Sequence, residues 1–268
     1  IEKLNNDNKF HGILVQLPLP SQIDSKKVLN HVKPEKDVDG FHPLNLGLLL
    51  EGNPSFIPCT PNGIIKILDY YDIETEGKHV VIIGGGDTGA DCLGTVHRQG
   101  ALSVHSLEVM PKPPDQRGTD NPWPEWPDIY RVSAAHEEGG DRIYSVSTKQ
   151  FVGNDQGEVK ELELVEVATQ ILNSKQSYTE LPNSTHKLPC DLALLAMGFL
   201  GPEQSGLIQQ SGLELDHRSN VKRDDRWKTS VEQVFVAGDM QRGQSLIVWA
   251  IADGRAAAQS IDEFLAAT

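Results

Sequence analysis

The stretch His79-Val80-Val81-Ile82-Ile83-Gly84-Gly85-Gly86-Asp87-Thr88-Gly89 decides the fold of this chain. Its β-branched run predicts a buried strand, and the pattern Gly84-x-Gly86-x-x-Gly89 predicts a tight turn that opens a helix. The helix is expected to continue to about Gln99, and a second β-like run follows at Ser103–Met110. This order and spacing predict a Rossmann-like βαβ unit that binds a dinucleotide, and hence an α/β fold.

The glycines have separate physical roles in this prediction. Gly84 allows the tight turn, Gly86 lets the backbone approach a pyrophosphate without an intervening Cβ, and Gly89 lets the helix pack close to its strand. The helix N-terminus offers free N–H groups and a positive dipole end to the phosphates. We therefore expect the dinucleotide to be bound by Gly84, Gly86, Asp87, Thr88 and Gly89.

The composition excludes several classes of protein. The chain has 268 residues with 38% hydrophobic and 23% charged residues, which is typical of a globular protein with one or two domains. Its formal net charge of −14 argues against nucleic acid or an anionic membrane as a partner. The widely separated Cys59, Cys92 and Cys190 predict no disulfide framework and no metal site. We expect a cytoplasmic protein without a membrane span.

Outside the βαβ unit, apolar runs alternate with residues that interrupt secondary structure. Gly12–Leu17 predicts a buried strand, and residues 111–142, which are rich in proline and tryptophan, predict neither a helix nor a central strand. Residues 143–170 alternate like a β-meander, and 191–196 predict another buried strand. At the C-terminus, a strand at 234–239 is expected to precede a helix at 245–265. These patterns predict a first segment at 1–78, a nucleotide-binding domain at 79–195 and a C-terminal segment at 196–268.

Two sets of side chains compete for the ribose of the expected dinucleotide. Glu108 ends the second strand about 20 residues after the turn, where an acid usually binds the ribose 2′-hydroxyl and favours NAD. Lys112, Arg117 and Arg98 lie close in sequence and offer positive charge to a 2′-phosphate, which would favour NADP. The residues alone leave this choice open.

The first third of the chain carries long motifs of one family. His11-Gly-Ile-Leu-Val-Gln16-Leu-Pro, Lys36-Asp37-Val-Asp39-Gly40-Phe-His-Pro43 and Pro58-Cys59-Thr60-Pro61 resemble the bifunctional methylenetetrahydrofolate dehydrogenase/cyclohydrolase of one-carbon metabolism. The resemblance covers residues 1–83 and implies that Gln16 and Asp37 belong to a folate site. The family's catalytic lysine has no counterpart in this sequence, so a structural remnant is the alternative interpretation of this segment.

From Gly84 onward the chain resembles the small (β) subunit of glutamate synthase. The similarity runs from the glycine turn through Met110-Pro-Lys-Pro-Pro114 and Leu195-Ala-Met-Gly-Phe-Leu-Gly-Pro-Glu203 to Ala237-Gly-Asp239. It implies NADP(H) at the glycine turn, FAD as a second cofactor and a large-subunit partner that makes glutamate. The implied FAD contacts are Gly238, Asp239, Gln244, Ser245 and Leu246. The family's first glycine fingerprint, which holds the FAD pyrophosphate, is replaced by the folate-like segment.

The two resemblances meet within the strand at 78–83, so the chain is interpreted as a chimera. Engineering, gene fusion and assembly error are equally compatible origins. The leading functional hypothesis is an oxidoreductase module that passes a hydride from NADPH to FAD for glutamate synthesis. The alternatives are a folate dehydrogenase/cyclohydrolase and a non-catalytic nucleotide-binding chimera. The sequence identifies no catalytic residue.

Overall fold

The computed structural model describes residues 1–17, 19–20, 22–119, 121, 128–172 and 175–267. The chain forms two compact units, Ile1–Met197 and Gly198–Thr268. The expected boundary at residue 78 falls inside the first unit. No helix of the described ranges is long and apolar enough to cross a membrane.

The first unit is an α/β structure. Its helices are α1 (Glu2–Asn6), α2 (Ser25–Leu29), α3 (Pro43–Leu50), α4 (Cys59–Tyr70), α5 (Asp87–Arg98) and α6 (Ala134–Glu138), with a 3₁₀ turn at Pro34–Lys36. Its strands are β1 (His79–Ile83), β2 (Ser103–Glu108), β3 (Asp141–Tyr144), β4 (Val146–Gly153), β5 (Val159–Leu172), β6 (Lys175–Glu180), β7 (His186–Pro189) and β8 (Leu192–Leu195).

A four-stranded sheet in the order β3-β2-β1-β8 forms the centre of this unit, and all three of its strand pairs are parallel. The β-branched run of β1 lies between two neighbours, and Val80, Val81 and Ile82 have 0% exposed surface. Val80 and Ile82 pack with Leu93 of α5, whereas Val81 packs on the opposite face. A strand that is buried on both faces of its sheet has apolar residues at successive positions, which explains the apolar run in the sequence of β1. The Rossmann-like α/β prediction is confirmed.

The predicted β-meander forms a second, antiparallel sheet. β4 pairs with β5, and β5 also pairs with β6 and β7 along different parts of its length. The β4–β5 turn is fixed by Asn154, whose side-chain oxygen accepts hydrogen bonds from the backbone N–H groups of Gln156 and Glu158 at 2.9 and 3.0 Å. Leu162 and Leu164 of β5 pack with Val81 and Leu107, which joins this sheet to the parallel one.

Two predictions for the first unit were wrong. Gly12–Leu17 is not a strand; within the described residues its β pairing is one bridge between Ile13 and Asp37. A strand needs a neighbour along its whole length for its backbone hydrogen bonds, and this segment has none. The stretch 111–142 was expected to lack helices, but it contains α6 and the first part of the edge strand β3. Residues 120 and 122–127 of that stretch lie outside the described residues.

The second unit contains α7 (Gln209–Ser211), α8 (Asp239–Arg242) and α9 (Ile247–Ala267), with a distorted helical turn at Gln204–Ile208 before α7. The C-terminal helix was predicted correctly, but the strand at 234–239 was not. Phe235 makes only a single bridge with Lys228 among the described residues. Beside this bridge, Thr229 N–H donates to the Val234 carbonyl at 2.9 Å and Val236 N–H donates to the Trp227 carbonyl at 3.1 Å. This short pairing does not extend along 237–239 among the described residues, so the segment is not a full strand.

An ion pair between the partly exposed Arg242 and the buried Asp253 joins α8 to α9 in the second unit. Both Asp253 carboxylate oxygens accept hydrogen bonds from the Arg242 guanidinium, at 2.6 and 2.8 Å. Gln241 donates a further bond to Asp253 at 3.0 Å. The hydrogen bonds from Arg242 hold the pKa of Asp253 below its usual value, so this carboxylate is charged at neutral pH. This structural role for Asp253 was not predicted from the sequence.

Candidate functional site

The glycine turn lies where β1 ends and α5 begins. Gly84 has φ +125°, and a Cβ at this position would lie 2.3 Å from the Ala196 carbonyl oxygen. A Cβ at Gly89 would lie 2.0 Å from the Gly84 carbonyl oxygen. Because real Cβ atoms do not approach that closely, both positions require glycine for the first turn of α5 to sit against the end of β1.

Gly86 differs from the other two glycines. Its φ of −78° is open to any residue, and no described atom lies within 4 Å of the Cβ that a substitution would add. The space beside Gly86 is therefore open, as a pyrophosphate approaching the backbone would require. No side chain of the described residues caps the N-terminus of α5, which leaves its first N–H groups available to an anion.

Two cavities meet at this turn. We call the first, of about 590 Å³, the apolar cavity; it is lined by Ile83, Gly84, Gly85, Gly86, Leu107, Glu108, Val109, Val146, Ser147, Thr148, Phe151, Leu195, Ala196 and Met197. We call the second, of about 570 Å³, the basic cavity; it is lined by Gly85, Gly86, Asp87, Ala90, Glu108, Met110, Pro111, Lys112, Pro113, Pro114, Asp128, Ile129, Arg131, Val132, Ser133, His136, Arg142 and Tyr144. Gly86 lines both cavities, so the most open point of the turn connects them.

Glu108 contacts the turn rather than standing free at the end of β2. Its carboxylate accepts a hydrogen bond from Gly85 N–H at 2.9 Å and another from Met110 N–H at 3.1 Å. These bonds fix the backbone that follows β1 to the backbone that follows β2. Glu108 therefore has a structural use in this site, which the sequence-based assignment to the ribose hydroxyl did not anticipate.

The cations proposed for a 2′-phosphate separate in the structure. Lys112 lines the basic cavity, where its Nζ lies 4.2 Å from the centroid of the Tyr130 ring. Arg98 ends α5, about 16 Å along the helix axis from Asp87. Its Nε donates to Glu138 at 2.7 Å, in an ion pair that spans α5 and α6. Arg98 therefore lies at the opposite end of α5 from the glycine turn, and its assignment to the nucleotide stays a prediction.

The remaining residues expected at the turn lie in the first turn of α5. Asp87 lines the basic cavity, and Thr88 is exposed beside it. Further along the helix, burial raises the pKa of Asp91, and the charge of Asp87 adds to this shift. Of these two exposed residues, Asp87 borders only the basic cavity, and Thr88 lines neither cavity.

The basic cavity also contains side chains that the sequence did not single out. Arg142 and Tyr144 of β3 both line it, since residues two apart on a strand share one face. Burial raises the pKa of Tyr144, so its hydroxyl is protonated at neutral pH. His136 lines the same cavity, and burial together with the charge of Arg142 lowers its pKa. These residues were missed because they lie in or next to a stretch predicted to be a loop.

The residues expected to contact FAD all lie in the second unit, around α8 and the start of α9. Gly238 precedes α8 with φ +69°, and the exposed Asp239 begins it. Ser245 Oγ donates to Asp239 Oδ1 at 3.4 Å, and the Gln244 amide donates to the Phe199 carbonyl at 3.0 Å. Leu246 is half exposed. The structure thus brings Asp239 and Ser245 together at an exposed surface.

The two residues expected in a folate site have local hydrogen-bond partners. Asp37 is buried, and its Oδ2 accepts bonds from His42 N–H at 2.7 Å and from the Asn45 side-chain amide at 2.9 Å. The Gln16 amide donates to the carbonyl of its neighbour Leu17 at 3.1 Å. Asp37 therefore organises the approach to α3, a role that needs no bound ligand.

Comparisons with known families divide the chain as its motifs do. The profile of the family described as pyridine nucleotide-disulphide oxidoreductase matches residues 62–254. The profile described as tetrahydrofolate dehydrogenase/cyclohydrolase, catalytic domain, matches residues 1–39. Both resemblances inferred from the sequence are confirmed.

Individual relatives support the same division. The glutamate synthase [NADPH] small chain of Mycobacterium tuberculosis is 58% identical over 193 residues, which cover 72% of this chain and 38% of that protein. The bifunctional protein FolD of Enterococcus faecalis is 60% identical over 84 residues, which cover 31% of this chain and 30% of that protein. The chain thus spans well under half the length of either relative.

A solved structure shows the same fold. FprA from Mycobacterium tuberculosis in complex with NADPH matches with a TM-score of 0.55 and 12% identity, covering 75% of this chain and 55% of that chain. The parallel sheet, the glycine turn and the extent of the matching profile agree with one another. The chain belongs to the pyridine nucleotide-disulphide oxidoreductase family.

Proposed function

We propose that the chain binds NADPH at the Gly84–Gly89 turn and acts as the nucleotide-binding part of a glutamate synthase small-subunit-type oxidoreductase. In the complete reaction a bound FAD would accept the hydride of NADPH, and a large subunit would use the electrons to make glutamate. The observation that carries the proposal is the open space at Gly86, which lies at the N-terminus of α5 and between the two cavities. The family membership and the named relatives support it.

The residues of the turn have defined tasks in this proposal. The free N–H groups and dipole of α5 stabilise the negative pyrophosphate beside Gly86. The Glu108 carboxylate holds the turn through Gly85 N–H, so that the backbone is already in its binding conformation. The apolar cavity, whose walls include the exposed Leu195 and Met197, provides an apolar surface for the flat nicotinamide ring. These tasks orient the nucleotide and add no proton transfer of their own.

The proposal is tested by calorimetry with NADPH and by the flavin absorbance of the purified chain. We expect one NADPH to bind per chain. Absence of NADPH binding to the folded chain would contradict the proposal.

We predict that the chain retains little FAD after desalting and shows little NADPH–dye reductase activity. The proposed flavin contacts at Gly238–Leu246 form an exposed surface, and the sequence carries no second glycine fingerprint for the FAD pyrophosphate. Flavin absorbance and dye reduction measure both quantities. Tightly held, stoichiometric FAD would show that the folate-like segment replaces the missing half of the flavin site.

We also predict that oxidation of methylenetetrahydrofolate with NADP stays at background. The Asp37 carboxylate already accepts hydrogen bonds from His42 N–H and the Asn45 side chain. Removing this buried acceptor in Asp37→Ala should lower the free energy of unfolding by about 2 kcal/mol. Turnover assays and urea unfolding of the parent chain and of Asp37→Ala measure these effects. Substantial turnover that Asp37→Ala abolishes without loss of stability would establish a functioning folate site.

A further inference from the structure

The basic cavity combines the phosphate-binding turn with side chains from two later parts of the chain. Gly85, Gly86 and Asp87 form one side of it, and Lys112, Arg142 and Tyr144 contribute to the other. The sheet order places β3 directly beside β2, and Arg142 is the register partner of Ser106. A side chain of β3 can therefore reach the region where the ribose next to the pyrophosphate would lie.

Arg142 is held in place without a carboxylate partner. Its Cζ lies 4.7 Å from the Tyr130 ring centroid and 5.5 Å from the Tyr144 ring centroid, and its Nη1 donates to the Arg131 carbonyl at 2.9 Å. In the part of the chain that the structure describes, Arg142 forms no ion pair. Arg98 and Arg242, by contrast, are each paired with a carboxylate. A guanidinium that is held in position and still has free N–H groups can donate several hydrogen bonds to a phosphate monoester.

The surroundings of Arg142 supply further donors. The Tyr144 hydroxyl is buried and has no hydrogen-bond partner among the described residues. The Lys112 ammonium lies over the same Tyr130 ring that Arg142 contacts. The carboxylates of Asp87, Glu108 and Asp128 also line the cavity and equal its lysine and arginine charges in number, so its net charge does not select an anion. The selectivity must come from the placement of donors, for which the rigid fork of Arg142 is best suited.

We propose that Arg142 is the residue that selects NADPH over NADH, by binding the 2′-phosphate in the basic cavity with the help of Lys112 and the Tyr144 hydroxyl. This inference rests on the proposed function, because it assumes that the dinucleotide lies along the glycine turn. In this proposal the residue that discriminates between the two nucleotides lies on the edge strand β3. It does not lie at the end of β2, where Glu108 is hydrogen-bonded to the turn.

The test is calorimetric titration of NADPH and NADH into the parent chain and the variants Arg142→Gln, Arg142→Lys and Arg98→Gln. The parent chain should prefer NADPH by at least about tenfold, since hydrogen bonds to charged groups are strong. Arg142→Gln should weaken NADPH binding about 10- to 100-fold and leave NADH binding unchanged. Arg98→Gln removes the same charge at the other end of α5 and should match the parent.

The remaining outcomes separate this inference from the proposed function. Arg142→Lys keeps the positive charge but loses the planar set of N–H donors, so it should also bind NADPH more weakly than the parent chain. An NADH affinity equal to that of the parent chain would show that this variant is folded. Retention of the parent preference in both Arg142 variants would overturn the role of Arg142 and leave the proposed function standing. A parent chain that binds neither nucleotide would overturn both.

Discussion

We expect Gly86→Val to weaken NADPH binding by well over tenfold, which corresponds to more than about 1.4 kcal/mol, while the chain remains folded. The valine side chain occupies the space that the pyrophosphate needs beside the backbone. The backbone itself tolerates the change, because Gly86 has φ −78° and its added Cβ meets no described atom within 4 Å. Calorimetry measures the affinity, and thermal unfolding measures the stability.

The matched control for this variant is Gly63→Val. Gly63 lies in α4 of the same unit, and a Cβ there also meets nothing within 4 Å. We expect the control to bind NADPH like the parent chain, because it leaves the turn unaltered. Unchanged affinity in a folded Gly86→Val protein would remove the dinucleotide from this turn.

Gly89→Ala is expected to damage the fold as well as the site. The added methyl group would lie 2.0 Å from the Gly84 carbonyl oxygen, so α5 must move away from the end of β1. Overpacking of this kind costs about 3 kcal/mol of unfolding free energy. The displaced helix N-terminus should also bind NADPH more weakly. Urea unfolding and calorimetry measure the two effects.

Gly63→Ala provides a control of opposite sign for Gly89→Ala. Alanine is favoured over glycine in a helix interior, so this change should stabilise the chain by about 0.5–1 kcal/mol. If Gly89→Ala were as stable as the parent chain, the close contact between α5 and Gly84 would not represent the folded protein.

The sequence predicted the nucleotide-binding core because local patterns determine it. The buried run Val80–Ile82, the glycines of the turn and the helix to Arg98 form contacts within one βαβ unit. The meander was also predictable, since Asn154 and Gly157 mark its turn. In each case the residues that carry the pattern are the residues that make the contacts.

The predictions that failed depend on partners distant in sequence. A strand at Gly12–Leu17 would need a neighbouring strand that is not provided by the surrounding described residues. The assignment of Arg98 to the nucleotide stays a prediction, because the length of α5 separates Arg98 from the glycine turn. Arg142 entered the candidate site only because the sheet places β3 beside β2, which the sequence pattern did not show.

The junction between the two resemblances is compatible with a single packed unit. β1 lies between β2 and β8, and its register with both is continuous from Val80 to Ile83. Upstream of it, Ile64 of α4 packs against the cluster that contains Val80 and Leu93. The folate-like segment therefore contributes to the core of the nucleotide-binding unit, which gives it a structural role.

Hydrogen exchange with and without NADPH tests the location of the nucleotide most directly. We predict that NADPH slows exchange at the backbone amides of residues 84–90, which form the turn and the first part of α5, and at those of 108–110 and 112. Amides of residues 12–42 in the folate-like segment should exchange at the same rate in both conditions. Protection confined to residues 12–42, with none at 84–90, would contradict the account.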